Sequence, residues 1–163
     1  MVKTNSLNIS VLLGGDSSER EVSIDSGTAI YKSLDQNHKV KLVFLESDIK
    51  IMLDDIENSE LIFNALHGGS GENGDIQSVL DLLRINYTGS GPIACKIAMS
   101  KHQTKLIAFD NQISTPNWLT LKFNESDMVN KMHIPENKLT YPIVVKPDNE
   151  GSTVGMTIVK DSL

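Results

Sequence analysis

Asn8-Ile9-Ser10-Val11-Leu12-Leu13-Gly14-Gly15-Asp16-Ser17-Ser18-Glu19-Arg20-Glu21-Val22-Ser23 sets an apolar run, a glycine pair and a polar segment in succession. An apolar run of this length ended by glycines predicts a buried strand. Beyond it, Ile24, Gly27, Ile30, Tyr31 and Leu34 recur at spacings of three and four, and Ser18 with Glu21 has capping-box spacing, so a crossover helix is expected. Two more apolar runs, Val40 to Leu45 and Leu61 to Leu66, read as further buried parallel strands. After the third run, Ile76, Val79, Leu80 and Leu83 share one helical face that begins at Asp75. Strand and helix therefore alternate to about residue 84, which predicts an α/β fold with a doubly wound parallel sheet. In such sheets ligands sit beyond the carboxyl ends of the strands, so Gly14-Gly15 and His67-Gly68-Gly69 are expected to face each other at one edge.

Gly89-Ser90-Gly91-Pro92 punctuates the chain and is the expected boundary between a domain spanning 1–90 and a partial α+β module spanning 91–163. Two helical runs follow, separated near Ser100, which has capping-box spacing to Gln103. Tyr141-Pro142-Ile143-Val144-Val145-Lys146-Pro147 and Met156-Thr157-Ile158-Val159 read as a hairpin whose tip is Asp148 to Gly155. The polar stretch Asn124 to Thr140 is expected to be a surface helix and loop. No internal repeat is present in the sequence.

With 163 residues the chain fits one average domain or two small ones and can bury a sizeable core. A lone cysteine, Cys95, cannot form an internal bridge, and it reads as a small buried hydrophobe in a protein of the reducing cytosol. Met1 to Ser10 lacks the pattern of a signal peptide, and no apolar stretch reaches membrane-spanning length. Fifteen basic against 21 acidic residues, a net charge of -6, argues against nucleic acid as the partner.

Gly14 to Ser23 joins a strand to a helix, whose N-terminal amides and dipole favour a carboxylate or phosphate; it could equally be an ordinary βα turn whose acids complement the dipole. It lacks dinucleotide-fingerprint spacing. His67-Gly68-Gly69-Ser70-Gly71-Glu72-Asn73-Gly74-Asp75 has more glycine than a plain connection needs, which suits close approach of backbone to a ligand. His67 is either a satisfied structural histidine or a ligand-edge group. Glu72 and Asp75 can simply cap the next helix. Lys101 and Lys146 are solvated surface lysines or anion binders; Lys146 ends an apolar run, so its stem is expected to be buried and its ammonium aimed at phosphate. Glu150-Gly151-Ser152-Thr153-Val154-Gly155 offers N–H groups and hydroxyls on a mobile tip, but joins two strands and so is not a Walker A loop.

Taken in order, Leu12-Leu13-Gly14-Gly15 with Ser18 to Ser23, His67-Gly68 with Gly71 to Gly74, Tyr87 to Gly91, Met99-Ser100-Lys101, and Val144 to Pro147 with Glu150 to Gly155 resemble the D-alanine:D-alanine ligase family. The resemblance covers nearly the whole chain. It implies an ATP-grasp enzyme that phosphorylates one D-alanine with ATP and lets the amine of a second attack the acyl phosphate, for peptidoglycan synthesis. By that resemblance Glu19 and His67 bind the first D-alanine, and Lys101, Lys146 and the loop residues Glu150, Gly151, Ser152 and Thr153 bind ATP. Ser152 would join Glu19 in a hydrogen-bonded catalytic set. Ser100 and Ser78 depart from the family pattern, at positions with no proposed catalytic role.

The family's magnesium ligands and several catalytic groups are expected beyond Leu163, so this chain alone is expected to be inactive. D-alanine and ATP are the expected partners, with a cytoplasmic homodimer expected for the full-length protein. A D-alanine:D-lactate or D-serine ligase, a non-catalytic D-alanine or nucleotide binder, and a structural domain forming a dimer interface remain as alternatives.

Overall fold

The computed structural model of the chain describes residues 6–45, 49–121 and 139–161. The chain forms two compact units, Met1–Ala98 and Met99–Leu163. The first contains β1 (Asn8–Gly14), α1 (Arg20–Leu34), β2 (Lys39–Leu45), α2 (Ile49–Ile56), β3 (Leu61–Asn64), α3 (Gly69–Glu72), α4 (Asp75–Leu83) and β4 (Asn86–Tyr87), and α5 (Pro92–Met99) runs up to the division. The four strands form one parallel sheet in the order β2-β1-β3-β4. From β1 the chain steps outward to β2, then returns past β1 to β3, which makes the β1/β3 gap the topological switch point.

Successive residues of a strand point to opposite faces. Leu12 joins Val43, Met52, Ile56, Ile62, Leu66, Ile76 and Leu80 in one core cluster. Its neighbour Leu13 faces the other way, against Gly27 of α1. Helices α2 and α4 therefore cover one face and α1 the other, as a doubly wound layer requires. Each fully buried Leu, Ile or Met here contributes roughly 1.5–3 kcal/mol.

Several local expectations need correction. β2 is an edge strand rather than a buried one: Val43 is its buried residue, and Phe44 is 41% exposed. β3 stops at Asn64 because the Asn64 side chain accepts the Leu66 N–H at 3.1 Å and turns the chain, although Ala65 and Leu66 remain buried. The Ser18–Glu21 capping box does not form. Glu19 is the N-cap of α1 with no side-chain cap bond, and the Ser17 hydroxyl accepts the Glu19 N–H at 3.1 Å. Leu83 is largely exposed, because Arg84 closes α4 in the left-handed conformation at φ 57 and Ile85 packs on the core instead. Cys95 is only half-buried, with its thiol donating to Ser90 O at 3.3 Å.

In the second unit, α6 (Lys101–Asp110) precedes an antiparallel hairpin of β5 (Ile143–Val145) and β6 (Thr157–Val159), with Val144 opposite Ile158. Ser100 caps α6, its Oγ accepting the Gln103 N–H at 3.2 Å. A two-stranded ribbon covers neither of its own faces. Thus Val144 is 50% and Val145 40% exposed, and Lys146 is exposed rather than buried along its stem. Most of the polar stretch Asn124 to Thr140 lies outside the described residues; Leu139 and Thr140 carry no regular structure.

Candidate functional site

Gly14 and Gly15 take φ of +89° and +86°, conformations that side chains rarely adopt, and they swing the chain out of β1 beyond the carboxyl end of the sheet. The second loop, Ala65 to Gly74, leaves β3 at the same edge. Between them lies a shallow, solvent-open depression walled by Gly14 to Ser17 on one side and Leu66 to Gly68 on the other.

One buried serine ties the two loops together. Ser23 Oγ accepts the Gly14 N–H at 2.9 Å and donates to Ala65 O at 2.8 Å. Ser17 repeats the arrangement further out, donating to His67 O while accepting the Glu19 N–H. The His67 ring lies with Nε2 3.2 Å from Ser26 Oγ on α1. Gly68 takes φ +65°, which favours glycine, and a Cβ there would come within 2.9 Å of Glu19 Oε2 and 3.2 Å of Ser17 Oγ, so the Glu19 carboxylate lies close against this loop. The structure thus brings Glu19 and His67 to one edge, with an acceptor carboxylate and an imidazole flanking backbone polar groups.

Behind the loop, Asn64 Nδ2 and Gln77 Nε2 both donate to Gly71 O, at 3.0 and 2.7 Å. Gln77 is 4% exposed, and its Oε1 has no hydrogen-bond partner among the described residues. The glycine carbonyl fixes the amide's orientation, since turning it over would set two oxygens together.

In the second unit, Lys101 Nζ donates to Asp148 O at 3.0 Å and also to Glu150 O. The Asp148 carboxylate accepts from Ser100 Oγ at 2.6 Å and from the His102 N–H at 2.8 Å. The Ser100 hydrogen bond, followed by the His102 amide and the charges of His102 and Lys101, outweighs desolvation and lowers the Asp148 pKa. Gly151, Ser152 and Thr153 are exposed at the hairpin tip, with Ser152 and Thr153 at φ 45 and 63. Two successive non-glycine residues in that region cost on the order of 1–3 kcal/mol each. Beside α6, Trp118 Nε1 donates to His102 Nδ1 at 3.1 Å, and Lys105 Nζ lies 5.3 Å from the centroid of the Trp118 ring.

Ser17, Ser23, Asn64 and Asp148 carry this architecture, and sequence reading assigned none of them a role. A signal existed for Ser23: with Gly27 it forms a pair of small residues four apart on the helix face turned to the sheet, both buried.

An open parallel α/β layer with a polar depression at its switch point places the first unit in the doubly wound class. Family models described as D-ala D-ala ligase N-terminus and D-ala D-ala ligase C-terminus match residues 49–90 and 107–162. The D-alanine--D-alanine ligase of Aquifex aeolicus is 41% identical over 155 residues, covering 94% of this chain and 51% of the relative. That of Synechococcus sp. is 38% identical over 160 residues, covering 96% and 49%. The crystal structure of D-alanine--D-alanine ligase from Bacillus anthracis complexed with ATP superposes with a TM-score of 0.78 at 33% identity, covering 96% of this chain and 51% of that one. The chain belongs to the D-alanine–D-alanine ligase family. It spans about half the length of the curated relatives it matches.

Proposed function

We propose that this chain is the D-alanine-binding and phosphate-covering part of a protein that joins two D-alanines to D-alanyl-D-alanine for peptidoglycan, at the expense of ATP. In that reaction the γ-phosphoryl group passes to the carboxylate of the first D-alanine, the amine of the second attacks the carbonyl carbon, and inorganic phosphate leaves. The observation that carries the proposal is the Glu19 carboxylate held against Gly68 beside a backbone-lined depression at the switch point. An ionised carboxylate there suits a substrate ammonium, and His67 assists at the same edge.

The remaining assignments follow the family. Residues 1–90 form the substrate-binding domain and 91–163 the first part of the ATP-grasp module. Lys101, Lys146 and the loop residues Glu150, Gly151, Ser152 and Thr153 bind ATP, and Ser152 acts in the hydrogen-bonded set with Glu19. Lysine ammonium groups and loop N–H groups are the right donors for a transferring phosphoryl group, whose charge they offset. Among the described residues no group of three or more His, Cys, Asp or Glu side chains could hold a metal ion. Magnesium is proposed as a requirement of the whole protein, with no residue of this chain assigned to it. The whole protein is proposed to be a cytoplasmic homodimer; among the described residues no helix is long and apolar enough to cross a membrane.

Titrating the 163-residue chain with D-alanine, followed by backbone amide NMR, tests the substrate part. Shifts at Gly14, Gly15, Gly68 and Gly69 are expected with D-alanine, weak ones with L-alanine, and none in Glu19→Gln. Equal responses to the two enantiomers would sink the assignment. The chain alone is expected to release no phosphate from ATP in the presence of D-alanine, and turnover would refute that expectation.

A further inference from the structure

We infer that Asp148 is a positioning residue that locks the root of the Glu150–Gly155 loop and the Lys101 ammonium onto the first turn of α6. The inference rests on the reading of that loop as a phosphate lid. Helix N-termini leave their first amides without intrahelical partners. In α6 three of these are taken from within the chain: Lys101 N–H by Asp148 O at 3.2 Å, His102 N–H by Asp148 Oδ1 at 2.8 Å, and Gln103 N–H by Ser100 Oγ at 3.2 Å. Ser100 Oγ in turn donates to Asp148 Oδ2 at 2.6 Å. The positive end of α6 is therefore filled by the Asp148 carboxylate, and it holds the loop rather than a ligand.

The lysine is held by the same residue. Lys101 Nζ donates to Asp148 O and to Glu150 O, which leaves the third ammonium proton for an anion. A surface lysine must give up rotamer freedom when it binds phosphate, whereas two backbone carbonyls already restrain Lys101. Asp148 thus couples three things: its carboxylate takes the helix end, while its backbone carbonyl, with that of Glu150, holds the lysine at the root of the loop. The Asp148 pKa is lowered, first by the Ser100 hydrogen bond and then by the His102 amide and the charges of His102 and Lys101, so the clamp stays ionised further into acid than an ordinary aspartate.

Amide hydrogen exchange of the 163-residue chain tests the clamp, comparing wild type with Asp148→Ala and Asp148→Asn. Losing a hydrogen bond to a charged acceptor should speed exchange at His102 by about tenfold or more in Asp148→Ala, while Leu12 and Leu13 report an intact first unit. Asp148→Asn keeps an oxygen for the His102 N–H and is expected to restore most of that protection. Unchanged exchange at His102 in Asp148→Ala overturns the inference, as does failure of Asp148→Asn to restore it.

Calorimetric titration with ATP separates the clamp from the reading beneath it. If wild type binds ATP and Asp148→Ala binds at least about tenfold more weakly, the positioning role holds. Equal affinity overturns it. No ATP binding by wild type overturns the phosphate-lid reading for this chain and leaves the exchange data to decide the clamp.

Discussion

Replacing Ser23 by alanine should damage the first unit more than any other loss of a single hydroxyl at the site. The side chain is fully buried, and its oxygen both accepts the Gly14 N–H at 2.9 Å and donates to Ala65 O at 2.8 Å. Alanine leaves a buried donor and a buried acceptor unmatched, each costing about 1–3 kcal/mol, so after partial relaxation a loss of roughly 2–4 kcal/mol is expected. The volume removed is one oxygen atom, too small for a water to replace it without displacing α1. The assay is native-state amide exchange at Leu12 and Leu13, central in β1, where the loss should appear as about 30- to 1000-fold faster exchange. Ser18→Ala, which removes an exposed hydroxyl at the same turn, serves as control and should change exchange less than about twofold. A Ser23→Ala protein that exchanges like the control would refute the view that this hydroxyl holds the two loops.

Gly27→Ala gains helix propensity but sets a Cβ 2.8 Å from Leu13 Cβ, so α1 must shift; a net loss of about 1–3 kcal/mol is expected in thermal unfolding, and any gain contradicts the packing described. Arg84→Gly should stabilise the first unit by about 0.5–1 kcal/mol, because φ 57 suits glycine; a lower melting temperature would count against it. The lowered Asp148 pKa contributes stability that is present above the unfolded carboxylate range and is lost as pH falls through the lower folded value. Trp118, the only tryptophan, should report that acid transition by fluorescence, and Ser100→Ala should move it to higher pH; an unmoved transition would remove Ser100 as the principal cause.

Most of the layer could be read from the sequence because burial and period coincide in it. Val11, Leu12 and Leu13 lie in a strand paired on both sides, so their apolar run matches a fully buried environment. Val40 to Leu45 is apolar too, but it sits at an edge, and composition alone does not distinguish an edge strand from a central one. The start of α4 at Asp75, the Ser100 cap and the hairpin were legible through local turn and capping chemistry, although Gly74 and not Asp75 or Glu72 is the N-cap of α4. Ser23 and Asp148 were not, because their partners lie 42 and 46 residues away, and only the fold brings those partners within hydrogen-bond range. Lys146 misled for the opposite reason. An apolar run before a lysine implies a covered stem only where some layer covers the strand, and β5 has only β6 beside it in its sheet.

β1 is paired on both sides, and the glycine turn grows directly from its end. An edge strand can peel away and carry its loop with it; a strand held by two neighbours cannot. Any adjustment that Glu19 makes on meeting a ligand must then come from rotation within the first turn of α1, pivoting on Ser23, while the floor beneath stays still. Evolution or design could accordingly rewrite Asp16 and Ser18, leaving Ser17 in place, to retune what the depression accepts, with little risk to the sheet that carries it.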